Sequence, residues 1–562
     1  MKTFPALKYK KFPPIQLPVR AWPNQVLEHS PIWCSVDLRD GNQALIHPLG
    51  VEEKLGFFRL LVDMGFKEIE IGFPSASETE YTFVRRLIEE GHIPDDVTVQ
   101  VLVQSREHLI RRTFTALQGV KRAIVHLYNS TSELQRRVVF QKSHKEIIDI
   151  AVEGAKFIKE FAPTLEGGEV IYQYSPESFT GTELDFAVDI CSAVCEVWQP
   201  TEKKKTIINL PATVEMSTPN IYADQIEWFC RNFPYRKQSI ISIHTHNDRG
   251  TGVAAAELAL MAGGERVEGT LFGNGERTGN VDLVTIALNL FSQGIDPALD
   301  FSNLIEISHM VARYNQIPIG LRHPYVGELV FTAFSGSHQD AIRKGLAAMR
   351  SNGSSLWEVP YLPIDPTDVG RHYEPLVRIN SQSGKGGIAF VLEDQFGYKL
   401  PPKLQIDFSR VIQKICDADG RELGPEEIKH IFEVEYCRPA PFALKGHTTS
   451  YDLTTQNTCI SASVICKGEP HMVEGTGSGP LSALVHGIGQ QFGYHIAIHD
   501  YHEHAIGEGL DALAVAYVQG SIDGSPPTWG VGIHHSTEVA TLQAVLNALN
   551  RSIEERKKNG RR

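Results

Sequence analysis

The chain has 562 residues, 42% apolar and 22% charged, the proportions of a globular protein with room for two to four domains. Its 54 lysines and arginines against 67 aspartates and glutamates leave a net charge of −13, which argues against general binding to nucleic acid or to an anionic membrane surface. No apolar run is long enough to span a bilayer, no signal peptide is expected, and eight cysteines without a C-x-x-C pair read as reduced thiols of a cytoplasmic protein.

Residues 1–30 are proline-rich and aperiodic, an extended arm laid over a domain surface. Strand-like segments then follow at 32–37, 68–72, 97–102, 122–127, 168–174, 205–210, 240–245 and 266–272. Helix-like segments lie between them at 51–64, 78–90, 145–161, 184–197, 221–232 and 254–262. Alternating strands and helices predict a parallel sheet, and this many units over 31–299 predict a (β/α)8 TIM barrel, with an open doubly wound sheet as the alternative. Residues 300–426 read as a helical lid or subdomain, with helices at 304–314 and 338–349 and a loop at Ser383-Gly-Lys-Gly-Gly387. From 427 to 562 the pattern becomes that of a separate α+β domain. Strands are expected at 431–436, 449–455, 459–466, 469–475 and 495–504, helices at 480–491 and 539–553, and a frayed charged tail at 554–562.

In a TIM barrel the chemistry sits where strands end, and polar residues gather there. Arg39 and Asp40 follow the first strand, His126 and Tyr128 the fourth, Ser175 and Glu177 the fifth, and Thr213 the sixth. His244 and His246 close the seventh strand, two residues apart and so on one face, and Asn280 lies after the eighth. Two imidazoles, a carboxylate and an amide oxygen suit Mg, Mn or Zn. Taken singly these residues have plainer readings: His126 as a satisfied core histidine, Glu177 as a helix cap, Thr213 as packing, and Tyr361, between prolines, as an anchor.

The motifs Asp37-Leu-Arg-Asp-Gly-Asn-Gln43, His244-Thr-His-Asn-Asp248 and Gly273-Asn-Gly-Glu-Arg-Thr-Gly-Asn280 together resemble the family of acyl-CoA-condensing and -cleaving TIM barrels. Its members include isopropylmalate, homocitrate and citramalate synthases and hydroxymethylglutaryl-CoA lyase. Ser335-Gly-Ser-His-Gln-Asp340, Val359-Pro-Tyr-Leu-Pro-Ile-Asp-Pro366 and Asn380-Ser-Gln-Ser-Gly-Lys-Gly-Gly387 resemble the long-form isopropylmalate synthase branch, and the C-terminal block resembles that branch's leucine-sensing domain.

The resemblance implies that Asp40, His244, His246 and Asn280 surround a divalent metal, Mg2+ foremost and Mn2+ or Zn2+ otherwise, with K+ as an activator. It places Arg39 beside the keto carbonyl, Thr213 at the carboxylate, and His126, Ser175 and Glu177 in the same pocket. His338 and Tyr361 would move protons in the active site of the partner subunit of a homodimer. The implied substrates are acetyl-CoA and 3-methyl-2-oxobutanoate, the implied product is 2-isopropylmalate, and the implied pathway is leucine biosynthesis. Leucine would inhibit by binding near Gly477, Gly479, Leu481 and Ser482, with 500–505 close by. The general base stays open among Glu177, His338 and Tyr361. A sibling synthase with another 2-oxo acid acceptor, a metal-dependent hydrolase and an inactive leucine sensor are the competing readings.

Overall fold

The computed structural model describes residues 5–333, 335–353, 355–373, 385–419, 423–507, 509 and 512–558. They divide into two compact units, Met1–Phe331 with Ile364–His372, and Thr332–Pro363 with Tyr373–Arg562.

In the first unit, strands β1 (Ile32–Ser35), β2 (Glu68–Gly72), β3 (Thr98–Gln104), β4 (Arg122–Ser130), β5 (Glu169–Glu177), β6 (Thr206–Ala212), β7 (Ser239–Thr245) and β8 (Arg266–Gly269) form a closed barrel. All neighbours are parallel, and β8 pairs back onto β1 from Arg266↔Ile32 to Gly269↔Ser35, which rules out the open sheet. The strands are buried on both faces, as parallel strands under a coat of helices must be. Helices Glu107–Ala116 and Leu283–Phe291, which were not among the helix-like segments read from the sequence, complete the coat. β4 and β5 run three residues beyond their expected ends, so Tyr128, Ser175 and Glu177 are strand residues.

The barrel interior is polar at the level below its mouth. Glu70, Gln100, His126, Gln173, Arg266 and Glu268 are all buried there. Arg266 donates to Glu268 at 2.5 Å and to Gln100 at 2.7 Å, and Gln173 donates to Glu268 at 2.6 Å. Each buried charge thus has a partner, which its desolvation requires. The N-terminal arm is pinned to helix Pro219–Asn232. Arg20 grips Asp224 through two hydrogen bonds of 2.7 and 2.8 Å, and the Ala21 and Trp22 amides donate to Glu227.

The second unit contains helices Gly336–Asn352, Lys385–Phe396, Pro402–Asp419 and Pro425–Tyr436. Then come β9 (Phe442–Asp452), β10 (Asn457–Cys466), β11 (Glu469–Gly477), helix Pro480–Phe492, β12 (Ile496–Ile506), β13 (Leu513–Ile522), β14 (Thr528–His534) and helix Thr537–Lys558. The strands make two antiparallel sheets, β11-β10-β9 and β12-β13-β14, each followed by its helix. The two βββα halves share a packing device. Gly475 on β11 and Gly532 on β14 lie so close to helix backbone that a Cβ on either would overlap a carbonyl, of Ala483 and Ala540 respectively.

Three expectations are corrected here. Residues 431–436 are the end of helix Pro425–Tyr436, whose buried Ile428, Phe432 and Tyr436 recur every four residues. Residues 554–558 continue the last helix instead of fraying. The loop expected at Ser383–Gly387 gives way at Lys385 to a helix, while 383 and 384 lie outside the described residues. None of the described helices is long and apolar enough to cross a membrane.

Candidate active site

After β1 the chain enters a π-helical turn, Asp37–Gly41, which presents Arg39 and Asp40 to the barrel mouth. His244 lies on β7 and His246 just past its end, in a β-bridge with Asn280, and the two residues, two apart, bring their ring centroids within 5.4 Å. Ligand atoms of Asp40, His244 and His246 all lie within 4.8 Å of one another, and all three residues are buried. His244 Nε2 stands 3.2 Å from Asp40 Oδ2 and 2.9 Å from Asn280 Oδ1. The Asn280 amide nitrogen donates to the Asn274 carbonyl at 3.1 Å, so its oxygen is the end that faces the histidine.

This cluster fits a divalent cation. Glu268 accepts from Nδ1 of His244 at 2.9 Å, so that nitrogen carries a proton. Nε2 then directs its lone pair at two oxygen acceptors, an arrangement that needs a proton or a cation between them. In the protein alone a proton serves: burial opposes charge on His244, but Asp40 and Glu268 outweigh it and lift its pKa to about 10. Burial, and then the charge on His244, push His246 down to about 4. Burial would raise Asp40, but Arg39 and the two histidines hold it well below the carboxylate range. Nitrogen and oxygen donors without a thiolate suit a hard or borderline cation.

Arg39 is fixed from two sides, by Glu70 at 2.5 Å and Asp40 at 3.0 Å. Glu70 also takes His126 Nδ1 at 2.9 Å, His126 Nε2 meets the Ser175 hydroxyl at 2.7 Å, and Asn209 donates to that hydroxyl at 2.9 Å. Thr213 Oγ1 accepts from the Ser178 amide at 2.9 Å and lines the cavity, with its O–H available to donate. Glu177 accepts from Ser130 Oγ.

One cavity is lined by Arg39, Asp40, His126, Ser175, Glu177, Thr213, His244 and His246, so the barrel residues singled out in the sequence converge. Gln43, Leu102, Tyr128, Asn209, Pro211, Glu276 and Arg277 share its wall. Glu70 and Glu268, which orient the site, escaped sequence reasoning. Their signal was a carboxylate at an interior position of a barrel strand, in Glu68-Ile-Glu-Ile-Gly72 and Arg266-Val-Glu-Gly269. His338 and Tyr361 belong to the second unit, where both are exposed and their rings stack at 4.0 Å. Also there, Gly477 ends β11 and Gly479 caps the following helix, with its amide donating to Ser482 Oγ at 3.0 Å. Leu481 is half-buried against the core of that domain.

Residues 30–311 match the HMGL-like family model, 328–393 the alpha-isopropylmalate synthase post-catalytic domain-like model, and 422–553 the LeuA allosteric (dimerisation) domain model. A 2-isopropylmalate synthase of Rhodospirillum rubrum is 54% identical over 549 residues, 97% of this chain and 98% of that protein. Those of Rhizobium johnstonii (53% over 552 residues) and Pseudomonas entomophila (54% over 553) each cover 98% of both chains. End-to-end identity of this degree, over a barrel with an intact Asp–His–His–Asn cluster, places the chain in the 2-isopropylmalate synthase family.

Proposed function

We propose that this chain condenses acetyl-CoA with 3-methyl-2-oxobutanoate and water to give 2-isopropylmalate and CoA. The observation that carries this reading is the convergence of Asp40, His244, His246 and Asn280 beside Arg39 and Thr213, a cation site next to two donors for an anion. Asp40, His244, His246 and Asn280 would hold the divalent ion, Mg2+ foremost, which when bound supplies Lewis-acid polarisation and a template for a 2-oxo acid.

The residues do the rest. The Thr213 hydroxyl donates to the acceptor's carboxylate, and Leu102 and Pro211 give its branched end an apolar wall. Arg39 is locked before substrate arrives, so it stabilises negative charge on the developing alkoxide without reorganising. A base takes a proton from the acetyl methyl group, the resulting carbanion forms the carbon–carbon bond, and the alkoxide is protonated. Water then cleaves the thioester, releasing CoA as its thiol. Glu177, inside the cavity, and the stacked pair His338–Tyr361 are the candidates for moving these protons. Leucine acts as feedback inhibitor through the Gly477–Ser482 junction, the enzyme works as a homodimer, and K+ activates it.

Acetyl-CoA labelled with 13C at its methyl carbon tests the reading. The label is expected in the methylene of 2-isopropylmalate. Labelled acetate without a condensation product would mean thioester hydrolysis and would overturn it. Condensation with pyruvate or 2-oxoglutarate in preference would move the enzyme to a sibling reaction.

A further inference from the structure

Lys54 takes no part in the chemistry above, yet it is a completely buried cation. It lies on helix Val51–Asp63, in the coat of the barrel. Its ammonium group pairs with Glu80, faces the Phe83 ring at 5.2 Å, and donates to the backbone carbonyl of Leu38 at 2.9 Å. The second Glu80 oxygen accepts from the Phe73 amide at 3.1 Å. Gly72 admits the carboxylate, because a Cβ there would overlap it.

Leu38 sits between Asp37 and Arg39 in the π-helical turn that carries Arg39 and Asp40. So short a π turn leaves backbone carbonyls for neighbours to satisfy. Besides the contacts of the Arg39 and Asp40 side chains with Glu70 and His244, the turn is held from outside at three further points. The Asp37 carboxylate accepts the Leu271 amide at 3.1 Å, the Gly41 carbonyl accepts Asn274 Nδ2 at 3.1 Å, and the Leu38 carbonyl accepts Lys54. Of these three, Lys54 alone brings a full charge, and its stem is fixed by burial on a helix. An ion pair that merely tied helix Val51–Asp63 to helix Glu78–Glu89 would not need its third partner in the metal-bearing turn.

We propose that Lys54 is a positioning residue for that turn: by holding the Leu38 carbonyl it sets the place of Asp40 and Arg39, and with it the affinity of the site for a divalent ion. This rests on the metal reading of the cluster.

The test is a calorimetric titration of Mn2+ into metal-stripped full-length protein, with thermal unfolding and thiol-release kinetics alongside. The variants are Lys54→Met, Glu80→Gln and the two combined. Lys54→Met loses the Leu38 contact and strands Glu80. Glu80→Gln keeps the contact. The double variant has no buried charge left and still lacks the contact, so it decides the matter if Lys54→Met does not fold. Lys54→Met and the double variant are expected to bind Mn2+ about tenfold or more weakly, as when outer-shell support is removed from a ligand, with lowered kcat and little change in KM for acetyl-CoA. Glu80→Gln is expected to stay within about threefold of wild type. If only stability changes, the double variant recovers it and all folded variants bind Mn2+ like wild type, Lys54 is purely structural and the proposal fails. Equal weakening by Glu80→Gln would also overturn it. Wild-type protein that binds no Mn2+ would instead sink the metal reading itself.

Discussion

Nδ1 of His244 lies 2.9 Å from the Glu268 carboxylate, and this contact decides which end of the ring faces Asp40. Glu268 is itself held by Arg266 and Gln173. Removing the carboxylate frees the ring to rotate and to change tautomer. Glu268→Ala is therefore expected to weaken Mn2+ binding by about 10–100-fold, and Glu268→Gln by less, because its amide oxygen still accepts from Nδ1. Calorimetry on the metal-stripped protein measures this, and an unchanged affinity in Glu268→Ala would refute it.

The two histidines enter metal binding in different protonation states. With His244 up at about 10 and His246 down at about 4, at pH 8 the first carries a proton to be displaced and the second does not. Binding one ion should therefore release about one proton, and the logarithm of affinity should rise by about one per pH unit between those two values. Calorimetry in two buffers of different ionisation enthalpy counts the protons. A count of zero or two would contradict the assignment.

Thr213 Oγ1 accepts from the Ser178 amide, which leaves its O–H available to donate. Thr213→Val removes the donor and leaves the amide unpaired. KM for the 2-oxo acid should rise by about 10–100-fold, the worth of a hydrogen bond to a charged group, with KM for acetyl-CoA little changed. Thr213→Ser should restore most of the loss. Equal effects of both variants on both substrates would count against this role.

Ser482 closes the junction between β11 and its helix by accepting the Gly479 amide. Ser482→Ala opens that junction, at about 1 kcal/mol for a lost cap. Inhibition by leucine should weaken several-fold while the uninhibited rate is preserved. An unaltered leucine dose–response would remove the junction from the inhibitor's site.

The barrel was legible because short apolar runs alternate with amphipathic helices, a pattern set locally. The mouth was legible because polar residues end those runs. Glu70, Arg266 and Glu268 were not, because their partners are fixed by how several strands meet inside a closed barrel, which no local pattern encodes. The stretch Glu433-Val-Glu-Tyr436 alternates like a strand, but its helix is set by Ile428 and Phe432 one turn apart. β14 was obscured by Gly530 and Gly532, which look like turn residues and instead admit a helix backbone. The stacking of His338 on Tyr361 joins residues far apart in sequence, and spacing does not reveal it.

The most direct measurement of the central claim is thiol release from acetyl-CoA with 3-methyl-2-oxobutanoate, pyruvate and 2-oxoglutarate in turn, each with Mg2+ or Mn2+ and again with EDTA. The account predicts rapid release with 3-methyl-2-oxobutanoate, abolished by EDTA and restored by added metal. Release that ignores EDTA, or none with any of the three acceptors, would contradict it.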